Sequence, residues 1–233
     1  DAAGRKVAAF ADCSPDIPGS LPLLLGSGAR LMVKASPMID IDLAVGQLRC
    51  VSDVHVVAVG GECKEVLFLC TPGHQAPPLI HCVHLAPSPG APAVAAPPFT
   101  RADEAAAPLV PAAAVGPCLY LPSPDLMKGG CFRLLAQWYP VAPLDRSTHL
   151  YTSARPVPGF PGRAFSVLHE VGLSRRALAP LVPCGRAHVI TRNFPLPAAA
   201  LQRKLGLAEG GDLYLLAATV LGRPRAFLCT QIG

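Results

Sequence analysis

Proline sets the first limit on this chain. It supplies 27 of the 233 residues, and 13 of these fall between residues 71 and 124. Proline fixes φ and donates no backbone hydrogen bond, so it ends helices and is shut out of central strands. A stretch such as Ala93-Val94-Ala95-Ala96-Pro97-Pro98 can neither continue a helix nor sit inside a sheet. Residues 73–117 therefore read as a proline- and alanine-rich linker or insertion. Only Arg101, Asp103 and Glu104 are charged between residues 71 and 124. Regular structure is expected on either side of this stretch.

The rest of the chain has the material for a core. Hydrophobic residues make up 51% and charged residues 15%, which excludes a chain disordered by composition. No apolar run of about 18 residues is free of charge, proline and glycine, so no transmembrane helix is expected. The opening Asp1-Ala2-Ala3-Gly4-Arg5-Lys6 is not followed by the apolar core and cleavage site of a signal peptide. The 9 cysteines are odd in number, scattered and nowhere spaced Cys-x-x-Cys. Several sit in apolar runs, where a free cysteine behaves as a small hydrophobe. This usage fits a reducing compartment, and the expectation is a cytoplasmic protein.

Charge is unevenly spread. Up to residue 141 there are 9 Lys+Arg against 11 Asp+Glu; from residue 142 there are 11 against 4. The C-terminal part thus carries the basic balance, the electrostatic footprint of a polyanionic partner. A solvated surface would give the same count.

Local patterning divides the N-terminal segment, residues 1–72, into helix, strand, helix and hairpin. Asp16 to Leu25 and Pro37 to Leu48 have helical leucine and isoleucine spacing, and Ala29 to Lys34 is a short apolar strand. His55-Val56-Val57-Ala58-Val59 and Val66-Leu67-Phe68-Leu69-Cys70 are two strands separated by only Gly60 to Glu65. A parallel crossover needs a dozen or more residues, so this pair must be antiparallel. The pattern is that of the end of a mostly parallel α/β sheet.

Beyond the proline-rich stretch, a helix is expected from Lys128 to Tyr139, strands at 148–152 and 163–168, and a short helix at 173–182 with Ser174 at its cap. From Ala187 the order is β-α-β-β. His188 to Thr191 is a strand. A helix follows, with Pro197 in its first turn and Gly206 after its last. Two strands joined through Leu221-Gly222-Arg223 complete the chain.

Several motifs in this order resemble one bacterial family. They are Val33-Lys34-Ala35-Ser36-Pro37-Met38-Ile39-Asp40, Val54-His55-Val56-Val57 running into Glu62-Cys63-Lys64-Glu65, and Thr191-Arg192-Asn193-Phe194-Pro195-Leu196. Thr148-His149-Leu150-Tyr151-Thr152, Phe160-Pro161-Gly162-Arg163, and Leu205-Gly206-Leu207 with Gly210-Gly211-Asp212 extend the match. The chain resembles class I S-adenosylmethionine-dependent methyltransferases that carry a ferredoxin-like segment and a C-terminal THUMP-like domain. The resemblance implies an α/β fold. Residues 1–72 would be the C-terminal part of a Rossmann-like methyltransferase sheet ending in an antiparallel hairpin. Residues 118–186 would be ferredoxin-like and residues 187–233 a THUMP-like βαββ domain. It further implies S-adenosyl-L-methionine as cofactor and structured RNA, transfer or ribosomal, as partner.

The chain also departs from that pattern. No G-x-G-x-x-G-like turn follows a strand, and Gly26-Ser27-Gly28 precedes one, which is the wrong order for a donor site. The donor-binding residues are therefore expected upstream of Asp1, with this chain as the C-terminal portion of a longer enzyme. A non-catalytic RNA-binding module and an inactive partial chain are the alternatives.

Candidate site residues follow. Lys34, Ser36, Pro37 and Asp40 lie after a strand, where open α/β sheets bind ligands. Glu62 and Lys64 lie in the adjacent hairpin, with Cys63 between them more suited to a structural role than to nucleophilic catalysis. The same positions suit a helix cap at Asp40 and a sheet-end ion pair at Lys34. On the RNA side the candidates are Arg163, Arg192, Asn193, Arg203 and Lys204, cations and an amide near the ring of Phe194. Cys63, Cys70, His74, His81, Cys82 and His84 fit no zinc spacing, so no metal is expected.

Overall fold

The computed structural model describes Phe10 and residues 14–86 and 93–232. The readings of residues 1–6 and of Cys13, and part of the proline-rich stretch, lie outside these. The chain forms two units. The first runs to Ala106 and includes Ser123–Cys131; the second comprises Ala107–Pro122 and Phe132–Gly233.

In the first unit Asp16 caps α1 (Ile17–Leu25) and Asp40 caps α2 (Ile41–Leu48), each accepting a backbone N–H of the first turn. Between them lies β1 (Leu31–Ala35). β2 (Val51–Val59) and β3 (Glu62–Cys70) are joined by Gly60 and Gly61 alone. Both glycines have positive φ, 57° and 88°, as the tightest hairpin turn requires. β2 and β3 are antiparallel, as their spacing predicts, and longer than predicted.

The sheet order is β1-β3-β2-β4-β5. β1 is antiparallel to β3, and β4 (Leu79–Leu85) is parallel to β2, so β1, β2 and β4 share one direction with β3 inserted against it. Within the stretch read as linker, Leu79 to Leu85 contains no proline, and this gap admits a ladder strand. β5 (Val94–Ala95) adds a short edge and α3 (Arg101–Ala106) follows.

One sheet face forms the core: Val54, Val56, Val66, Phe68, Ile80 and Cys82 are buried there. Each such side chain is worth about 1.5–3 kcal/mol of burial. That face is covered by α4 (Pro124–Gly129), a helix contributed after the chain has already entered the second unit. Gly129 allows the close approach, since a Cβ there would lie 2.4 Å from Cys82 Sγ. Arg101 fastens the layer, donating through Nη1 to the Gly129 carbonyl at 2.6 Å and through Nε to Asp42 at 2.7 Å.

The single helix expected from Lys128 to Tyr139 does not form. Gly130 takes a left-handed φ of 74° and stops α4, and a separate turn, α5 (Leu135–Trp138), begins later.

The second unit is a seven-stranded sheet in the order β10-β11-β12-β9-β6-β8-β7. Its strands are β6 (Cys118–Pro122), β7 (Ala142–Pro143), β8 (Tyr151–Ser153), β9 (Gly162–Glu170), β10 (His188–Arg192), β11 (Leu213–Val220) and β12 (Arg223–Ile232). β10 and β11 are parallel through α7 (Ala198–Leu205), and β11 and β12 form the expected hairpin. Alternation along β11 sends Leu215 and Ala217 to one face, where α7 and α6 (Arg175–Leu178) pack through Leu178, Leu201 and Leu205. Leu216, Ala218 and Val220 go to the other face, with Leu119, Phe165 and Phe227.

Among the described residues no helix is long and apolar enough to cross a membrane.

Candidate functional sites

In the first unit, register gathers the predicted cleft residues along one edge. Ala35 lies opposite Val66, Val57 opposite Glu65, and Val59 opposite both Glu62 and Leu85. The carboxyl ends of β1, β2 and β4 and the β2–β3 turn therefore meet there, the edge where α/β sheets hold ligands.

The side chains at this edge are occupied with one another. Lys34 Nζ is 2.9 Å from Glu65 Oε2, and Lys64 Nζ is 2.6 Å from Glu62 Oε2. Lys64 holds the Glu62 carboxyl below its ordinary range. Ser36 Oγ accepts the Met38 N–H at 3.2 Å, Pro37 lies in the turn, and Asp40 Oδ1 accepts the Leu43 N–H at 2.9 Å. Burial pushes the Cys63 thiol up, the opposite of an activated nucleophile. Beside Lys34 and Ser36 a mainly apolar cleft of about 390 Å³ runs along β1, lined also by Phe10, Ile17, Met32 and Ile39. Among the described residues β1 pairs on one side only, with β3.

In the second unit the sheet separates the predicted basic residues. Arg203 and Lys204 end α7, which packs through Leu201 and Leu205 on the α6 face. Their carbonyls accept from Arg175 at 3.2 and 3.1 Å.

Arg163 belongs to the other face. Its Cζ stands 5.1 Å from the Phe165 ring centroid and 4.8 Å from that of Tyr214. Its Nη2 donates to Gln231 Oε1 at 2.8 Å. His188 stacks on Tyr214 at 4.8 Å, giving a cation–ring–ring row across β9, β11 and β10. Phe165 is fully buried in this row, and Tyr214 and His188 are half-buried. Phe165, Tyr214 and His188 were not singled out in the sequence; period-two alternation on paired strands carries that signal, and it needs the register to be read.

Arg192 is on the same face as Ile190 and lacks a carboxylate partner among the described ion pairs. Its Nε is buried with no hydrogen-bond partner, and Nη1 reaches only the adjacent Thr191 carbonyl at 3.2 Å. Burial, and then the like charge of Arg163, weaken its hold on its proton. His149 is pushed down by burial and by Arg192. Asn193, next in sequence, takes a left-handed φ of 44°, and its carbonyl accepts from Thr219 Oγ1. Phe194 packs against the α6–α7 core. Arg163 and Arg192 thus lie on one face of the sheet, with the Glu209 carboxylate paired to His188 at the end of the row, while Arg203 and Lys204 stand apart from them.

Residues 162–231 match the THUMP domain-like family and residues 119–161 match a ferredoxin-like domain family. The THUMP-like match starts at β9, where the sequence reading began that domain at residue 187. The fold is similar to a crystal structure described as a "putative methyltransferase" from Porphyromonas gingivalis W83, with a TM-score of 0.86 and 29% identity. That similarity covers 98% of this chain and 58% of the other, so this chain spans well under two thirds of its length. No curated protein matches.

Proposed function

We propose that this chain is the C-terminal portion of an S-adenosylmethionine-dependent RNA methyltransferase, with the second unit holding structured RNA. The observation that carries the reading is the similarity over 98% of the chain to the Porphyromonas gingivalis structure. The THUMP-like match at residues 162–231 supports the RNA side, because the Arg163 row and Arg192, whose buried Nε has no hydrogen-bond partner, lie in that segment. The strand order β1-β3-β2, with β3 antiparallel between two parallel strands, supports a Rossmann-like sheet end.

The residues present do not fit the methyl donor. Lys34, Ser36, Asp40 and Glu62 are all engaged locally, and among the described residues no strand opens into a G-x-G-x-x-G-like turn. No methyl-transfer step is therefore assigned to this chain. The donor site would belong to the part of the related enzyme that this chain does not span. The role assigned here is to grip and orient RNA.

The test is binding to unmodified transfer RNA across a salt series. Tight binding that falls steeply with salt is expected. Arg192→Met should lower the log–log slope by about 1 while Arg203→Ala leaves it unchanged. Arg192→Met should also keep or raise the unfolding midpoint, because it relieves a buried, unpartnered Nε. No binding at low salt, or equal effects of the two substitutions, would sink the proposal.

A further inference from the structure

The face of the first sheet opposite α4 carries a side-chain group that the cleft residues do not include. Asp53 and His55 occupy alternate positions on β2, so they project from the same face. His81 on β4 faces His55 directly in the parallel register. Two alternate residues on one strand and the partner of one of them on the next form a compact triangle. One ligand atom from each of the three lies within 4.8 Å of the others.

We infer that Asp53, His55 and His81 form a binding site for one divalent transition-metal ion of the zinc type. His81 Nε2 already stands 2.9 Å from Asp53 Oδ1. The two imidazoles stack at 4.4 Å with an interplanar angle of 11°. Ligands on tetrahedral bonds of about 2.0–2.1 Å stand about 3.3 Å apart, and an ion lies in the plane of each imidazole that binds it, so one of the two rings must turn out of the stack to close the site. Two imidazoles and one carboxylate are a standard donor set and leave a position for water or an oxyanion. With side chains 26–27% exposed, Asp53 and His81 are open to solvent from which an ion can arrive.

A plain His81–Asp53 ion pair would account for only two members. The third, His55, is packed against a second imidazole, where two protonated rings would repel.

The sulfur-containing set in the sequence disperses. Cys82 and His84 project to the α4 face, where Cys82 Sγ reaches the Asp125 carbonyl at 3.4 Å and His84 Nδ1 the Asp125 carboxylate at 3.3 Å. The inferred site is therefore free of thiolate.

The test uses the full chain after chelator treatment. Zn²⁺ is titrated against a chromophoric competitor, and Co²⁺ is added separately for its visible spectrum. One equivalent should bind. His55→Gln and His81→Gln should each weaken binding by at least about 100-fold, since even outer partners of ligands cost 10–100-fold. His169→Gln, an exposed histidine of β9, should change nothing. Asp53→Asn, nearly isosteric, should weaken binding too and covers the case in which a histidine variant fails to fold. The inference is overturned by no binding, by unchanged affinity in these variants, or by a thiolate-to-cobalt charge-transfer band.

Discussion

Replacing Leu126 tests whether α4 completes the core of the first sheet. Leu126 is fully buried, and α4 has only six residues. The helix is held by the close approach of Gly129 to Cys82, by Arg101, and by Lys128 donating to the Ile39 carbonyl. A helix pinned at three points collapses poorly into a cavity. Leu126→Ala should therefore fall mid-range among core leucine truncations, about 3 kcal/mol. At about 1.4 kcal/mol per tenfold, that raises the opening constant somewhat over 100-fold. Hydrogen exchange followed by mass spectrometry reads this directly. Peptides covering 54–58, 66–70 and 80–84 should exchange about 100-fold faster, while 213–220 in the second unit keeps its protection. The lone tryptophan, Trp138, lies in the second unit, so its fluorescence should not report the change. Faster exchange confined to 213–232, or unchanged exchange in β2 and β4, would refute the reasoning.

Gly129→Ala should destabilise the chain by about 1–3 kcal/mol, because its Cβ would lie 2.4 Å from Cys82 Sγ. Adding Cys82→Ala should recover about 1 kcal/mol of that in a double-mutant cycle by denaturant unfolding, and additive losses would show that the two do not touch. Burial and Arg192 hold His149 below its ordinary value of 6.5. As pH falls, the unfolded chain takes up this proton first, so its contribution to stability is lost from about pH 6.5 downward. His149→Asn, which tolerates the φ of 51° there, should lose less stability than wild type between about pH 7.5 and about pH 5.5. An equal or larger loss in the variant would contradict this.

What the sequence disclosed follows from how far apart the interacting residues are. The β2–β3 hairpin was legible because loop length alone forbids a parallel crossover, and α7 because Pro197 and Gly206 mark its ends. β4 was obscured by the prolines around it, although Leu79 to Leu85 contains none. α4 was misread because its partners, Ile80 and Cys82, lie more than 40 residues earlier, and no local period reports that contact. The candidate cleft residues did come to one edge, since they follow strand ends that chain direction fixes. The basic residues did not all share a face: Arg163 and Arg192 do, while Arg203 and Lys204 on α7 lie on the other, a separation that composition does not encode. The Asp53–His55–His81 triangle needs the β2–β4 register, and a one-residue slip would remove it.

The route of the backbone constrains how such a protein can be inherited. The chain leaves the first unit after Ala106, returns for Ser123–Cys131 and leaves again. A recombination event that joined foreign sequence at any point from 107 to 131 would separate α4 from the sheet it covers or strand β6 without β9. Each half would carry an exposed apolar layer, an aggregation liability. Lineages carrying this arrangement should therefore pass the two units on together, exchanging material outside that window.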